Sequence, residues 1–423
     1  MRTLKEPFAA PFAFVAAKRH CGRDVDKTLV HRNTLVGDSS VTESRGWLDA
    51  HRADLEELRA GDRLRALASA QGTDFASNDY LGLARSEALR DLAAAALARG
   101  IPLGAGGSRL LRGNWPEHEA LEEEAARFFG AESALFFSAG FSANEALLAT
   151  LPQRGDLVLH DALIHASCHD GLRLSRAERL AVPHNDADAF ADALRAFRAR
   201  NASGRAWILV ESLYSMDGDG APLAALAEIA EAYDAFLLID EAHATGVYGL
   251  GGRGLAHDFE GRENVVTLHT CGKALGLSGA LLCLPRALRD FLVNRARNFI
   301  FATAPSPLLA EVVRTALPLI EAAEDRRTAL AQRVIRLGER LKDATKLSPS
   351  GTQIQPVIVG ADGRAVALAR ALQAEGFDIR AIRPPTVPEG SARLRISVTL
   401  NASQDEIDAM VATLARKLEE LPA

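Results

Sequence analysis

The sequence predicts an α/β protein, with a large domain built on a mostly parallel sheet and a smaller α+β C-terminal domain. Three observations predict it. At 423 residues the chain exceeds the usual size of one domain, so two lobes are expected. Between residues 134 and 269, short apolar runs alternate with helical patterns, as in a parallel sheet covered by helices on both faces. From residue 296 onward the pattern changes to a long helical stretch, two strand-like stretches and a closing helix.

The elements follow in order. Residues 1–45 show no clear periodicity and read as an N-terminal extension. Residues 46–75 form an N-terminal segment, 76–295 the large domain and 296–423 the small one. Residues 47–67 carry Leu48, Leu55 and Leu58 at helical spacing, with Gly61 placed to divide the helix. Residues 75–83 read as a short strand running into a turn. Residues 86–99 are an alanine-rich helix stopped by Gly100. Gly104, Gly106 and Gly107 make a flexible turn. Residues 116–129 form a helix with Pro116 at its start and Gly130 just past its end. Strands at 134–137, 156–160, 206–211, 235–240 and 265–269 are interleaved with helices at 142–149, 162–174 and 223–233. A helical pattern covers 307–341, and the last helix covers 404–421.

Composition narrows the function. Forty-nine basic residues against 55 acidic ones leave a net charge of −6. With no long basic tract, nucleic acid and membrane surfaces are not expected partners. Cys21, Cys168, Cys271 and Cys283 are too few for a disulfide scaffold and fit a reducing cytoplasm. No apolar run approaches the ~18 residues that would span a bilayer. The apolar stretch 8–17 lies between Lys5 and the pair Lys18-Arg19, in the manner of a secretory signal. Pro7 and Pro11 interrupt it and no clean cleavage site follows, so a dispensable extension or an upstream start codon is expected instead.

Three familiar patterns fail on context. Asp240-Glu241-Ala242-His243 follows an apolar strand, as in nucleotide hydrolases, but those need GxxxxGK[ST]. The Gly272-Lys273 pair has Ala274 after it and Thr267 in place of the first glycine. Gly249, Gly251 and Gly254 match GxGxxG, yet leave no strand and open no helical pattern, so a loop is expected. His165, Cys168 and His169 would share a helical face, but no fourth ligand is near, and no metal is expected.

The remaining constellation fits pyridoxal phosphate (PLP) chemistry. That chemistry needs a lysine for a covalent link and proton transfer, and a carboxylate to keep the pyridine nitrogen protonated. Asp240 ends the apolar run Phe236-Leu237-Leu238-Ile239, at the sheet edge where α/β proteins place ligand groups. Lys273 lies in Thr270-Cys271-Gly272-Lys273-Ala274-Leu275-Gly276, whose mostly small residues let a bulky cofactor approach the backbone. Taken singly, Asp240 would serve equally as a helix cap and Lys273 as a solvated cation.

Together these residues resemble a family. Asp240-Glu241-Ala242-His243-Ala244-Thr245-Gly246 followed by Thr270-x-Gly272-Lys273 resembles the α-oxoamine synthases, fold-type I PLP-dependent transferases. These join an amino acid to an acyl thioester with loss of carbon dioxide. Asn78-Asp79-Tyr80-Leu81-Gly82-Leu83, Gly106-Gly107-Ser108-Arg109 and His118-x-x-Leu121-Glu122 match earlier family motifs. Ser138-Ala139-Gly140-Phe141-x-Ala143-Asn144, His165-Ala166-Ser167 and Ser215-Met216-Asp217-Gly218-Asp219 follow in the family's order. The match covers roughly residues 45–420. Ile382-Arg383-Pro384-Pro385-Thr386-Val387-Pro388 and Ala392-Arg393-Leu394-Arg395-Ile396-Ser397 resemble the branch that condenses L-alanine with a pimeloyl thioester in biotin biosynthesis. Relatives that use glycine and an acetyl thioester are the alternative, and generally lack Arg-Pro-Pro-Thr. An inactive binding subunit of the same fold is a second alternative, but such subunits lose the lysine.

The resemblance implies roles. Lys273 would bind PLP covalently and act as base. Asp240 would pair with the pyridine nitrogen and His243 with the phenolic oxygen. His165 would stack on the ring, and Ser215 would contact the phenolic-oxygen region. Gly140, Phe141 and Thr270 would hold the phosphate. Thr303 would reach the phosphate of the neighbouring subunit, which implies a homodimer. Arg395, assisted by Asn78, would clamp the alanine carboxylate. Thr386 would contact the acyl region. The family's N-terminal substrate arginine falls on Arg65, with Arg59 as runner-up. The carrier, coenzyme A or acyl carrier protein, stays open.

Overall fold

We describe the fold from a computed structural model, which covers residues 46–201, 203–345 and 347–420. The expected N-terminal extension, with Cys21, lies outside the described residues.

The compact unit Ala53–Ala423 is centred on a sheet of seven strands. In spatial order they are Ser133–Phe137, Ala280–Leu284, Val265–Thr270, Ala235–Asp240, Ala206–Glu211, Leu157–Asp161 and Glu178–Val182. Ala280–Leu284 runs antiparallel to both neighbours, and the other pairings are parallel. Strand periodicity divides the core between the two faces. Val158, Trp207, Leu209 and Leu238 pack into one cluster. Their sequence neighbours Leu159, Ile208, Val210 and Leu237 pack into the other. Each such buried side chain stabilises the fold by about 1.5–3 kcal/mol.

The parallel strands end together, and this common edge positions the site. Glu211, Asp240 and Thr270 are the last residues of three adjacent strands. Asp161 ends a fourth. Past Phe137, the chain turns through Ser138 and Ala139 into the helix Gly140–Thr150. Gly276, at φ +69°, lets the loop after Lys273 close onto Leu83 and Ala84, whose backbone would lie 2.5 Å from an added Cβ.

A separate three-stranded antiparallel sheet has the order Arg380–Ile382, Ala392–Ser397, Ile354–Gly360. The helix Asp362–Ala374 packs on it, and the helix Gln404–Glu420 packs against that helix and Glu324–Thr345. Among the described residues no helix is long and apolar enough to cross a membrane.

Several expected elements differ. The first helix spans Asp49–Ala60 and stops at Gly61; residues 61–62 form a turn and 63–71 neither helix nor strand. In place of a strand over 75–83 there is only Thr73–Asp74, paired with Phe377–Asp378. Asp79 accounts for the turn that follows, since its carboxylate caps the backbone N–H groups of Leu83 and Ala84. The helix expected from 162 begins at Ala166, because His165 is its N-cap. His165 therefore sits before the helix and not on a face with Cys168 and His169. The long pattern 307–341 is two helices, Pro307–Glu321 and Glu324–Thr345. Arg327 stabilises the break by donating to the carbonyls of Ile320 and Glu321. Strands Glu178–Val182 and Ala280–Leu284 and helices Ala187–Arg200 and Arg286–Arg295 were not expected.

Three of the motifs are structural. The Arg109 guanidinium meets Glu122 in a buried two-pronged pair at 2.7 and 3.1 Å, and Glu122 also accepts from the N–H of Phe136. His118 joins the carbonyl of Pro305 at 2.8 Å. The glycine loop 249–254 wraps the buried Glu241 carboxylate, which accepts from the N–H groups of Leu255 and Ala256. A Cβ on Gly254 would overlap that carboxylate, so these glycines serve the loop's packing.

Candidate active site

The strand edge and the helix N-terminus enclose a cavity of about 160 Å³. Of the expected cofactor residues, Gly140, Phe141, His165, Asp240, His243, Thr270 and Lys273 line it. The side chains Asn144, Ser167 and Glu211 complete its polar wall. Sequence reasoning gave these three no role.

Asp240 is buried and held on both oxygens. Oδ1 accepts from the N–H of Ala242 at 2.9 Å, and Oδ2 from Asn144 Nδ2 at 2.8 Å. The same amide donates to Ser167 Oγ at 3.0 Å. His165 Nδ1 accepts from the N–H of Ser167 and lies 2.8 Å from its Oγ. Burial pushes the His165 pKa down, with Asp240 opposing and Lys273 adding to the fall.

Lys273 opens a chain of hydrogen bonds that leaves the cavity. Its Nζ lies 2.8 Å from His243 Nε2, and His243 Nδ1 lies 2.7 Å from the Tyr80 hydroxyl. Tyr80 meets Asn78 Oδ1 at 3.1 Å and Arg395 Nη2 at 3.3 Å. One proton arrangement satisfies every member. The ammonium donates to Nε2, Nδ1–H donates to Tyr80, and Tyr80 donates to Asn78 while also accepting from Arg395. His243 is neutral in that arrangement. Burial drives its pKa well below the ordinary histidine value, and the cations Lys273 and Arg395 add to the fall. Burial also lowers the Lys273 amine to about 8, although Asp240 and Glu211 resist the shift.

Glu211 stands beside Asp240 across the strand ladder. Oε2 accepts from the N–H of Ser215 at 3.2 Å, and Oε1 is buried without a partner. Burial first, then the charge of Asp240, pushes its pKa up to about 8. Two neighbouring buried carboxylates resist sharing two negative charges. With its pKa pushed to about 8, Glu211 holds a proton at neutral pH. An unfilled buried acceptor, an anchored carboxylate and a lysine amine facing one cavity suit a cofactor with a protonated ring nitrogen and an aldehyde. The helix Gly140–Thr150 begins behind Ala139, whose side chain cannot cap it. Its first N–H groups are left to an anion such as a phosphate.

A second cavity of about 560 Å³ shares His165 with the first. Arg65, Ser215 and Thr386 line it, with Leu163, Ile164 and Val387 supplying apolar walls. Arg395 holds this region together. It donates from Nε to the carbonyl of Ser215 at 2.6 Å and from Nη1 to Ser397 Oγ at 2.8 Å. Arg59 pairs with Glu56 on the exposed face of the first helix and lines neither cavity, whereas Arg65 lines the larger one. Thr303 lines neither cavity and is exposed on the loop before Pro307–Glu321. Asn78 joins the site only through Tyr80.

A family model described as aminotransferase class I and II matches residues 70–414. The chain is 44% identical over 391 residues to an 8-amino-7-oxononanoate synthase of Azoarcus sp. (strain BH72), covering 88% of this chain and 97% of that one. A crystal structure of 8-amino-7-oxononanoate synthase from Francisella tularensis superposes with a TM-score of 0.70 at 28% identity, over 82% of this chain and 98% of that one. A serine palmitoyltransferase variant from S. paucimobilis with bound PLP–myriocin aldimine gives 0.79 at 23% identity, over 88% and 98%. At that identity the likeness concerns the fold alone.

Proposed function

Because the chain belongs to the class I and II aminotransferases and, within them, to the 8-amino-7-oxononanoate synthase family of PLP-dependent acyltransferases, we propose that it condenses L-alanine with a pimeloyl thioester, releasing carbon dioxide and the free thiol. What carries this reading is the hydrogen-bonded chain from Lys273 through His243 and Tyr80 to Arg395. It ties a proton-accepting amine to a carboxylate-binding guanidinium on one rigid scaffold.

PLP bound in the smaller cavity supplies an electron sink for the bond broken at the amino acid's Cα. Lys273 would hold its aldehyde carbon, and Asp240 would keep its ring nitrogen protonated. His243 and His165 line that cavity and would hold the phenolic oxygen and the ring, and Ser215, on the adjoining wall, would assist at the phenolic oxygen. Gly140, Phe141 and Thr270 would receive its phosphate. The Lys273 amine would also act as the base for the amino acid's Cα proton. Burial has brought that amine to about 8, so it accepts a proton at neutral pH far more readily than an exposed lysine. Arg395 and Asn78 receive the alanine carboxylate. Arg65 and Thr386 hold the acyl donor in the larger cavity, whose size suits a small acyl chain. The carrier is coenzyme A or acyl carrier protein, both of which present the same kind of thioester.

We also infer a homodimer. Leu103, Leu111 and Phe301 are 70, 85 and 71% exposed. They sit on two loops joined by hydrogen bonds from Ala304 N to Gly107 O and from Leu308 N to Pro102 O. Exposed apolar side chains grouped in this way favour a partner, and Thr303 on the same loop is then placed to meet the partner's phosphate.

Steady-state kinetics with alanine against glycine, and pimeloyl against acetyl thioesters, test the function. Preference for glycine and the acetyl donor would overturn it. Within the reading, Arg395→Ala should raise KM for alanine about 10²-fold, the loss expected when a buried charge partner is removed. Arg395→Lys should recover only part of that, because an ammonium cannot form the same fork.

A further inference from the structure

We propose that His184 is a positioning residue, held as a cation between Asp161 and Asp219, that clamps together the two walls of the larger cavity. The inference rests on that cavity being the acyl site.

His184 follows the edge strand Glu178–Val182 and touches neither cavity. Its Nδ1 lies 2.9 and 3.1 Å from the two Asp161 oxygens, and its Nε2 lies 2.7 Å from Asp219 Oδ2. A neutral imidazole has one N–H, so one nitrogen would face a carboxylate lone pair to lone pair. Only the imidazolium donates to both. The surrounding groups are consistent with the cation. The N–H groups of Leu163 and Asn185 donate to Asp161. The Asn185 amide, 3.3 Å from Nε2, donates to the same Asp219 oxygen at 2.8 Å. The Tyr214 ring packs edge-on against the imidazole with centroids 4.5 Å apart. Burial holds the Tyr214 hydroxyl protonated, with the charge of Asp161 adding to the effect.

The two carboxylates belong to different walls. Asp161 leads directly into Ala162, Leu163 and Ile164, and Asp219 follows Tyr214, Ser215 and Met216; all six line the cavity. Asp217, between them, is tied to Arg393 at 2.5 Å, so the second wall is anchored on its far side. His184 links the two walls, with Asn185 beside it bonded to the same two carboxylates.

Alkaline pH loosens the clamp. Hydrogen bonds to Asp161 and Asp219 raise the His184 pKa against the opposing effect of burial. A histidine raised on folding contributes fully below its unfolded pKa of about 6.5 and loses that contribution as pH climbs through the higher folded value.

The test uses the PLP-loaded enzyme. In His184→Gln, KM for the pimeloyl thioester should rise roughly tenfold, as for loss of a charge-assisted pair. KM for alanine and the affinity for PLP should change less, by about twofold, since Lys273, Asp240 and Arg395 make no hydrogen bond to His184, Asp161 or Asp219. Wild-type KM for the thioester should climb with pH on the alkaline side, while His184→Gln should give a flat profile. Independently of turnover, NMR titration of the His184 ring should place its pKa above the ordinary histidine value, and Asp219→Asn should lower it. A ring that titrates at or below that value overturns the cationic clamp, as does an equal loss in every kinetic parameter. If pimeloyl thioesters are not substrates but the NMR result holds, the assigned function fails and the clamp's charge state survives.

Discussion

Lys273→Ala is expected to lower turnover by about 10⁴-fold or more, since it removes both the covalent anchor and the base. The residual site would still bind PLP through Asp240 and the Gly140 helix terminus, but without the visible absorption of a lysine-linked cofactor. The structure gives the reason that no other group substitutes. The nearest candidate base, His243, is neutral but fully engaged: Nε2 faces Lys273 and Nδ1 faces Tyr80. Its pKa is also driven far down by burial and neighbouring cations, so it holds a proton poorly. Turnover should be read alongside the absorption spectrum. A variant that keeps even a tenth of wild-type turnover would remove Lys273 from the chemistry.

The second large effect is at Asp240. Asp240→Asn keeps the size of the side chain and an oxygen for the Asn144 amide, but removes the charge. Without the anion, the pyridine nitrogen loses its proton and the ring draws electrons weakly. We expect turnover to fall about 10²–10³-fold, the range for losing one preorganised electrostatic partner, with weaker PLP binding. Glu211 sharpens the prediction. Its carboxyl is raised to about 8 partly by the Asp240 charge, so it should ionise more easily in Asp240→Asn and become the site's remaining anion. The variant's activity should therefore recover somewhat with rising pH through a group that Asp240→Asn/Glu211→Gln lacks. Equal profiles in the single and double variants would contradict that coupling.

Much of this site was legible because the chemistry is concentrated at strand ends. Asp240 closes an apolar run, and Lys273 lies just past another among small residues, so both positions could be read from local pattern. Gly140 and Phe141 came from the family resemblance instead, because the local pattern placed the helix start at 142, whereas the helix begins at Gly140. What stayed hidden depends on contacts between distant segments. Asn144 lies in a motif that was noticed, yet its work is to hold Asp240, 96 residues away. Tyr80 joins His243 to Arg395 across three segments, and Glu211 gains meaning only from standing beside Asp240 in the sheet.

The fold shows the same division. The central strands, buried on both faces, announced themselves as apolar runs. The edge strand Glu178–Val182 is exposed at four of its five positions and carries little of that signal. The break at Ala322–Ala323 has neither glycine nor proline; side-chain bonds from Arg327 stabilise it instead, which periodicity cannot register.

The central claim is that Lys273 carries PLP. Borohydride reduction of the purified, PLP-loaded protein, followed by peptide mass mapping, tests it most directly. We expect the peptide containing Lys273 to gain one phosphopyridoxyl group. A protein that takes up no PLP, or a modification found on another lysine, would contradict the claim.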